Sequence, residues 1–513
     1  MFEFLPQIIN ALLQPINILL MIAGVVGGIV VGALPGLTTT MALALLLPFT
    51  FTMSAETALI TLGGLYIGGI YGGCISAILI NTPGTPSAIA TTFDGYPLTK
   101  KGMAEKALKT AAISSGIGGV LGGIALLFLT GPLATLALRF GPPEYFWIAI
   151  LGLTMIATLS SGSLLKGLIG GGIGLMLSTI GLAPVGGEAR YSFGFAPLQA
   201  GLELIVVLIA FFCLPEVIGM VEKAVSKKAS EGNENHQSSM KSMFLYIIKR
   251  PILVLRSSII GFFTGIIPGA GGNVAALLSY DSAVRFSKNK NEFGKGNVDG
   301  VVASESSNNS EVGGSLVPLL ALGIPGAPPA AIMLGALMIQ GIRPGPNLFV
   351  EHGALIYTFL ISFIIANVVM LFSGIIGARY IGKVLNLPTF YLAPSILFLT
   401  IIGAYAIRNN VLDVFFMLGF GILAYYLKKV GFNPAPIVLG LILGPIAEEG
   451  LAQSIMIGGA QGNIWGMFFG RPISLILIIM CIISLLSPLY SYFKGTKDQN
   501  ESDSRKESRN EAI

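Results

Sequence analysis

Four short interruptions of apolar sequence hold most of the residues that could do chemistry. In Asn81-Thr82-Pro83-Gly84-Thr85-Pro86-Ser87, the Asn81 amide and the hydroxyls of Thr82, Thr85 and Ser87 can bond carboxylate oxygens. Pro35-Gly36 is followed by Thr38, Thr39 and Thr40, another hydroxyl cluster. Later come Pro268-Gly269-Ala270-Gly271-Gly272-Asn273 and Pro325-Gly326. Proline ends a helix here because it lacks an N–H and restricts the residue before it. The helix that restarts has unpaired N–H groups and a partial positive charge, which favour anions. Gly84, Gly269, Gly271, Gly272 and Gly326 let a ligand approach backbone. No Lys or Arg lies inside these loops, so an anion would be held by dipoles and neutral donors. A single Pro-Gly turn can simply cap a helix; four of them in two pairs favour a binding site.

A second cluster is Ser304-Glu305-Ser306-Ser307-Asn308-Asn309-Ser310-Glu311. The oxygens of Glu305, Ser306, Ser307, Asn308 and Asn309 suit a hard cation such as Na⁺, or a carboxylic substrate. Glu305 and Glu311 could also carry protons. The competing reading is a solvated loop with a helix N-cap. Other chemistries find no support. Ser163 and Lys166 fit S-x-x-K without its companion motifs. His236 and His352 lack metal-ligand spacing, so no metal site is expected. There is no phosphate-binding G-x-x-x-x-G-K-[ST], catalytic triad or pair of catalytic carboxylates. The chain reads as a non-enzyme without a cofactor, its one ionic requirement a coupling Na⁺ or proton. Glu203, inside an apolar run, is either a proton relay or a packing residue. Arg190, Arg343 and Arg408 flank crossings and read as orientation anchors.

The elements that must position these groups are membrane helices. Of 513 residues 53% are hydrophobic and 11% charged, against roughly 25% charged in soluble domains. No charge occurs between Phe4 and Ala55 or between Thr57 and Phe93. A crossing needs about 20 apolar residues, and the strands of a barrel would alternate where these runs are continuous. In hydrocarbon a broken helix is tolerated only where protein or a water-filled cavity covers it. The net charge of +5 sits in loops and tail, which bears on orientation in the bilayer and not on nucleic acid. Gly28/Gly32, Gly68/Gly72, Gly69/Gly73 and Gly118/Gly122 have the spacing of close helix packing. Cys74, Cys213 and Cys481 fall in apolar segments and imply no disulfides. Residues 1–14 lack the pattern of a cleaved signal.

Crossings are expected near 16–34, 58–80, 112–138, 145–159, 164–182 and 198–221, with a short apolar segment at 41–51 and a charged loop at 94–109. The second half echoes the first. Pro268-Gly269 matches Pro35-Gly36 at an offset of 268 − 35 = 233, and Pro325-Gly326 matches Pro83-Gly84 at 325 − 83 = 242. A weaker echo pairs Pro143 with Pro388. The expected architecture is all-α and polytopic, with about 10–14 helical segments and broken helices or re-entrant hairpins. It comprises a first repeat (1–221), a polar linker (222–250), a second repeat (251–493) and a disordered polar tail (494–513). Loops at equivalent places carry opposite basic bias: Lys100 to Lys109 against a lone Arg343, and Thr52 to Ala55 against Arg285 to Lys295. That favours inverted repeats, whereas the basic ends of both halves argue for parallel ones.

At these motifs the chain resembles the large membrane subunit (TctA) of the tripartite tricarboxylate transporters. The likeness is carried by residues 32–40, Tyr71 to Ala77, Asn81 to Pro86, Asp94-Gly95-Tyr96-Pro97, Ile267 to Gly272, Ser304 to Asn309 and Gly323 to Gly326. It implies a multi-pass permease of a bacterial inner membrane that imports a tricarboxylate or other organic carboxylate. It also implies a periplasmic solute-binding protein, a small second membrane subunit, and an ion gradient as the driving force. The alternatives are a stand-alone cation-coupled carboxylate symporter and a passive anion channel.

Overall fold

The structure is a computed structural model and describes residues 2–159, 164–183, 185–222, 240–345, 347–384 and 389–486. It is all-α apart from one two-residue strand pair, Gly181–Leu182 with Ala189–Arg190. Among the described residues eight helices are long and apolar enough to cross a membrane. The chain forms two compact units, Met1–Arg139 with Glu203–Val430, and Phe140–Leu202 with Gly431–Ile513. Each unit thus draws on both halves of the sequence.

In the first unit ten helices matter for the site: α1 (Pro15–Ala33), α2 (Thr39–Leu46), α3 (Ala55–Ile80), α4 (Ile89–Lys100), α5 (Ala104–Ala137), α6 (Pro251–Ile266), α7 (Gly271–Phe286), α8 (Val298–Leu322), α9 (Pro328–Ile339) and α10 (Gly353–Val384). Their ends follow local chemistry. Thr38 Oγ1 accepts from Met41 N at 3.2 Å, starting α2, and Ser54 Oγ accepts from Thr57 N, starting α3. Asn297 Oδ1 accepts from Asp299 N at the head of α8. Two helices stop in the left-handed conformation, α3 at Asn81 (φ 54°) and α8 at Gly323 (φ 75°).

The glycine spacing places backbone on backbone. Gly28 and Gly32 of α1 lie against Leu65 and Gly69 of α3, and Gly68 and Gly72 of α3 lie against Val25 and Ile29. In the second half Gly261 and Gly265 of α6 lie against Ser307 and Glu311 of α8. Small residues allow this approach in a bilayer, where no hydrophobic force draws helices together. After each left-handed stop the chain turns back in the same way. Gly84 N donates to Gly73 O at 3.1 Å and Gly326 N to Ser315 O at 3.1 Å. A β-carbon on Gly84 or Gly326 would strike the carbonyl of Gly32 or Gly265 respectively.

Some expectations need correction. The charged loop placed at 94–109 is mostly helix, the end of α4 and the start of α5, because Asp94 turns inward and is fully buried. The crossing expected near 198–221 is present as the span Leu204–Glu222, with a one-residue break at Cys213 between Leu204–Phe212 and Leu214–Glu222, just before Pro215. The helix from Leu164 ends at Ser178, short of Leu182. In the linker expected at 222–250, Met240–Ile248 is helical and residues 223–239 lie outside the described residues. The tail, Ser163, His236 and Pro388 also lie outside them.

The second unit packs Gly174 of helix Leu164–Ser178 against Gly440 of helix Pro434–Ala460. Its buried Glu144 accepts from Arg471 Nε at 2.9 Å, Ser474 Oγ at 2.7 Å and Gly141 N at 2.8 Å. Arg190 there bonds both oxygens of Glu448, an ion pair that holds a surface loop.

Candidate functional site

The polar run Ser304 to Glu311 is neither loop nor solvated. It is the middle of α8, and every one of its residues is at most 1% exposed. Burying eight polar side chains requires partners for them. Most have one. Ser304 Oγ bonds Gly300 O, Ser306 Oγ bonds Ser114 O, Ser307 Oγ bonds Ala275 O and Ser310 Oγ bonds Ser258 O. The last three tie α8 to α5, α7 and α6. Asn309 Nδ2 turns back to Glu305 O at 3.2 Å.

Glu305 is bonded at both oxygens, which accept from Thr91 Oγ1 of α4 and from Ser115 Oγ of α5, the latter at 2.8 Å. Thr91 also meets Ser304 Oγ at 3.1 Å. The carboxylate therefore joins three helices. Neither hydroxyl partner stood out in the sequence: Thr91 is one of several hydroxyls behind the break, and Ser115 lies in a run of small residues.

In this run both amide atoms of Asn308, Oδ1 of Asn309 and Oε1 of Glu311 are buried with no hydrogen-bond partner among the described residues; Thr39 Oγ1, Tyr71 OH, Ser114 Oγ, Ser257 Oγ, Arg256 Nε and Asn367 Oδ1 are other such atoms of the same unit. Asn308 and Glu311 meet Gly272 in the first turn of α7. A β-carbon built there would lie 2.7 Å from Asn308 Oδ1, 3.4 Å from Glu311 Oε2 and 2.8 Å from Ser87 Cβ. Ser87 begins the turn into α4, so one break from each half reaches the same spot. Leaving such groups unbonded costs about 1–3 kcal/mol each, which a fold tolerates where a ligand will bond them. The spot combines neutral donors, a hydroxyl and the N-terminus of a 16-residue helix with one carboxylate.

The other sequence-predicted residues sit at or beside the four breaks. Thr85 and Ser87 share a hydrogen bond of 3.0 Å, are buried, and line the first break with Gly84. Thr39 abuts Gly69 on α3, and Thr40 is buried beside it in sequence. Gly269 N bonds Gly326 O at 2.8 Å, joining the two breaks of the second half, with Pro268 and Pro325 ending their helices. Thr38 is occupied as a cap, Asn81 is an exposed left-handed stop, and Thr82 Oγ1 bonds Ile80 O. Pro35, Pro83 and Pro86 sit at the breaks of the first half, and Gly271 (φ 64°) and Asn273 open α7.

Asp94 holds this assembly together. Its Oδ1 accepts from Gly296 N at 2.8 Å and Asn297 N at 2.7 Å, and its Oδ2 from Tyr280 OH at 2.9 Å. A carboxylate at the head of α8 fixes the backbone of Gly296 and of the cap residue Asn297, and its negative charge suits the positive end of the helix dipole. The available signal was Asp94-Gly95-Tyr96-Pro97 itself, where Gly95 lets α4 close onto Ile78.

Residues 18–439 match the model of the tripartite tricarboxylate transporter TctA family. Two similar proteins come from Agrobacterium vitis. An uncharacterized 52.8 kDa protein in the TAR-I ttuC′ 3′ region is 36% identical over 487 residues, 93% of this chain and 94% of that protein. An uncharacterized protein in the TAR-II ttuC′ 3′ region is 36% identical over 242 residues, 47% of this chain and 98% of that protein. No solved structure matches the chain.

Proposed function

The chain belongs to the tripartite tricarboxylate transporter TctA family, and from that premise we propose that it is the permease subunit of an ion-gradient-driven carboxylate importer. It is a multi-pass membrane transporter component. In this reading it sits in a bacterial inner membrane, receives an organic carboxylate from a periplasmic solute-binding protein, and works with a small second membrane subunit. The observation that carries the reading is the meeting of Ser87, Gly272, Asn308 and Glu311 in the interior of the first unit, with polar atoms left to bond a ligand. Helix breaks that converge on such a spot are how secondary transporters hold charged solutes away from lipid. The matched turns after Asn81 and Gly323 support a twofold repeat, inverted by the loop charges, and alternating access by movement of part of each repeat.

The test is uptake of labelled citrate and shorter dicarboxylates into cells expressing this chain, with and without a binding protein and the small subunit. Uptake that needs all three components is the expected result. Uptake by this chain alone would make it a simple symporter, and flux that never exceeds the external concentration would make it a channel.

A further inference from the structure

Two carboxylates lie six residues apart on α8, and their surroundings differ. Glu305 is held by Thr91 and Ser115. Glu311 is 1% exposed, its Oε1 has no partner among the described residues, and its Oε2 faces Gly272. Asn308, one turn earlier, is fully buried and its side-chain amide bonds nothing among those residues.

Resting on the carboxylate reading above, we propose that Glu311 is the coupling group of this transporter. A single positive charge, delivered as a proton or a sodium ion, neutralises it, and only then does an anionic substrate settle between Ser87, Gly272 and Asn308. The reason is electrostatic. In a protein interior two like charges at contact distance repel far more strongly than in water. An ionised Glu311 therefore opposes a carboxylate brought to the N-terminus of α7, and a neutralised one leaves the helix dipole and the amide to attract it. Cation and anion then favour each other reciprocally, which is what symport requires.

The surroundings leave this role to Glu311. Tyr66 of α3 lies within electrostatic reach, with its hydroxyl on Ser315 Oγ at 3.0 Å. Asp281 of α7 is paired with Arg285 at the far end of that helix, Asp94 of α4 is fully bonded, Arg256 of α6 covers the Phe286 ring, and Glu105 of α5 pairs with Lys109. The turn at Ser87 and α9 carry no charge.

The experiment uses membrane vesicles holding the full chain and its partner subunits, with whichever of citrate or a four-carbon dicarboxylate the wild type accumulates. Glu311→Gln carries a permanently neutral side chain. It should still exchange labelled for unlabelled substrate but stop at equal concentrations, indifferent to pH and sodium gradients. The gradient that loses its effect identifies the cation. Asp281→Asn, an exposed carboxylate of α7 outside the site, should stay gradient-driven. A Glu311→Gln protein that still accumulates substrate, or reaches the membrane intact yet no longer exchanges, overturns the proposal. If Glu311→Gln does not fold, Glu311→Asp decides: a shift of the half-saturating cation concentration on the order of tenfold supports the role, and an unchanged value overturns it. Wild type that takes up no carboxylate would instead overturn the reading on which this rests.

Discussion

Gly272 lies against Ser87, so closely that a β-carbon on the glycine would come within 2.8 Å of the serine β-carbon. One residue opens α7 and the other opens the turn into α4, and they come from opposite halves of the chain. Gly272→Ala must therefore push apart two helix starts and displace Asn308 Oδ1. We expect carboxylate uptake to fall by about tenfold or more at unchanged membrane abundance, with a stability loss of about 1–3 kcal/mol from overpacking. Ser87→Gly relieves the contact but also removes the hydroxyl of the proposed site and its bond to Thr85, so the double variant should regain stability and not uptake.

Asp94 accepts three hydrogen bonds and fixes the backbone that leads into α8, so its loss should show as instability before it shows as altered specificity. A hydrogen bond to a charged group contributes about 1.5–3 kcal/mol. Tyr280→Phe removes one bond, Asp94→Asn removes the charge, and Asp94→Ala strands two backbone N–H groups. Thermal stability in detergent should fall in that order, and an Asp94→Ala protein as stable as Tyr280→Phe would contradict this anchoring role.

How much of this was legible in the sequence depended on whether the signal was local. The Pro-Gly breaks were readable because proline acts on its own helix turn, and each predicted break is present. The glycine pairs were readable for the same reason. The environment of Ser304 to Glu311 was not. Polarity reports that a segment needs partners, and water would have served as well as the carbonyls of Ser114, Ala275 and Ser258. Asp94 was misplaced because Lys100, Lys101, Lys106 and Lys109 follow it. Nothing local said that its acceptors would be filled by Gly296 and Asn297, some 200 residues later.

Glu305 joins α4, α5 and α8, and its neighbours are hydroxyls that can turn. Glu305→Gln keeps an acceptor and offers N–H groups to them, so it should cost little more than 1 kcal/mol. Glu305→Ala leaves Ser115 unbonded and Thr91 with Ser304 alone, and opens a cavity, for about 2–5 kcal/mol. Unfolding by denaturant should separate the two variants clearly.

Asn81 offers two roles that substitutions can tell apart. It ends α3 at φ 54°, where glycine is at ease and alanine is strained by roughly 1 kcal/mol. Its side chain is exposed, and Gly323 occupies the matching turn of α8. If the residue acts only through its backbone, Asn81→Gly keeps wild-type uptake and stability while Asn81→Ala loses some of each. If the amide bonds the substrate, both variants lose uptake to a similar degree, with the glycine variant as stable as wild type. The exposed side chain and the glycine in the matching turn favour the first outcome. Uptake and thermal stability measured on the same two preparations decide it.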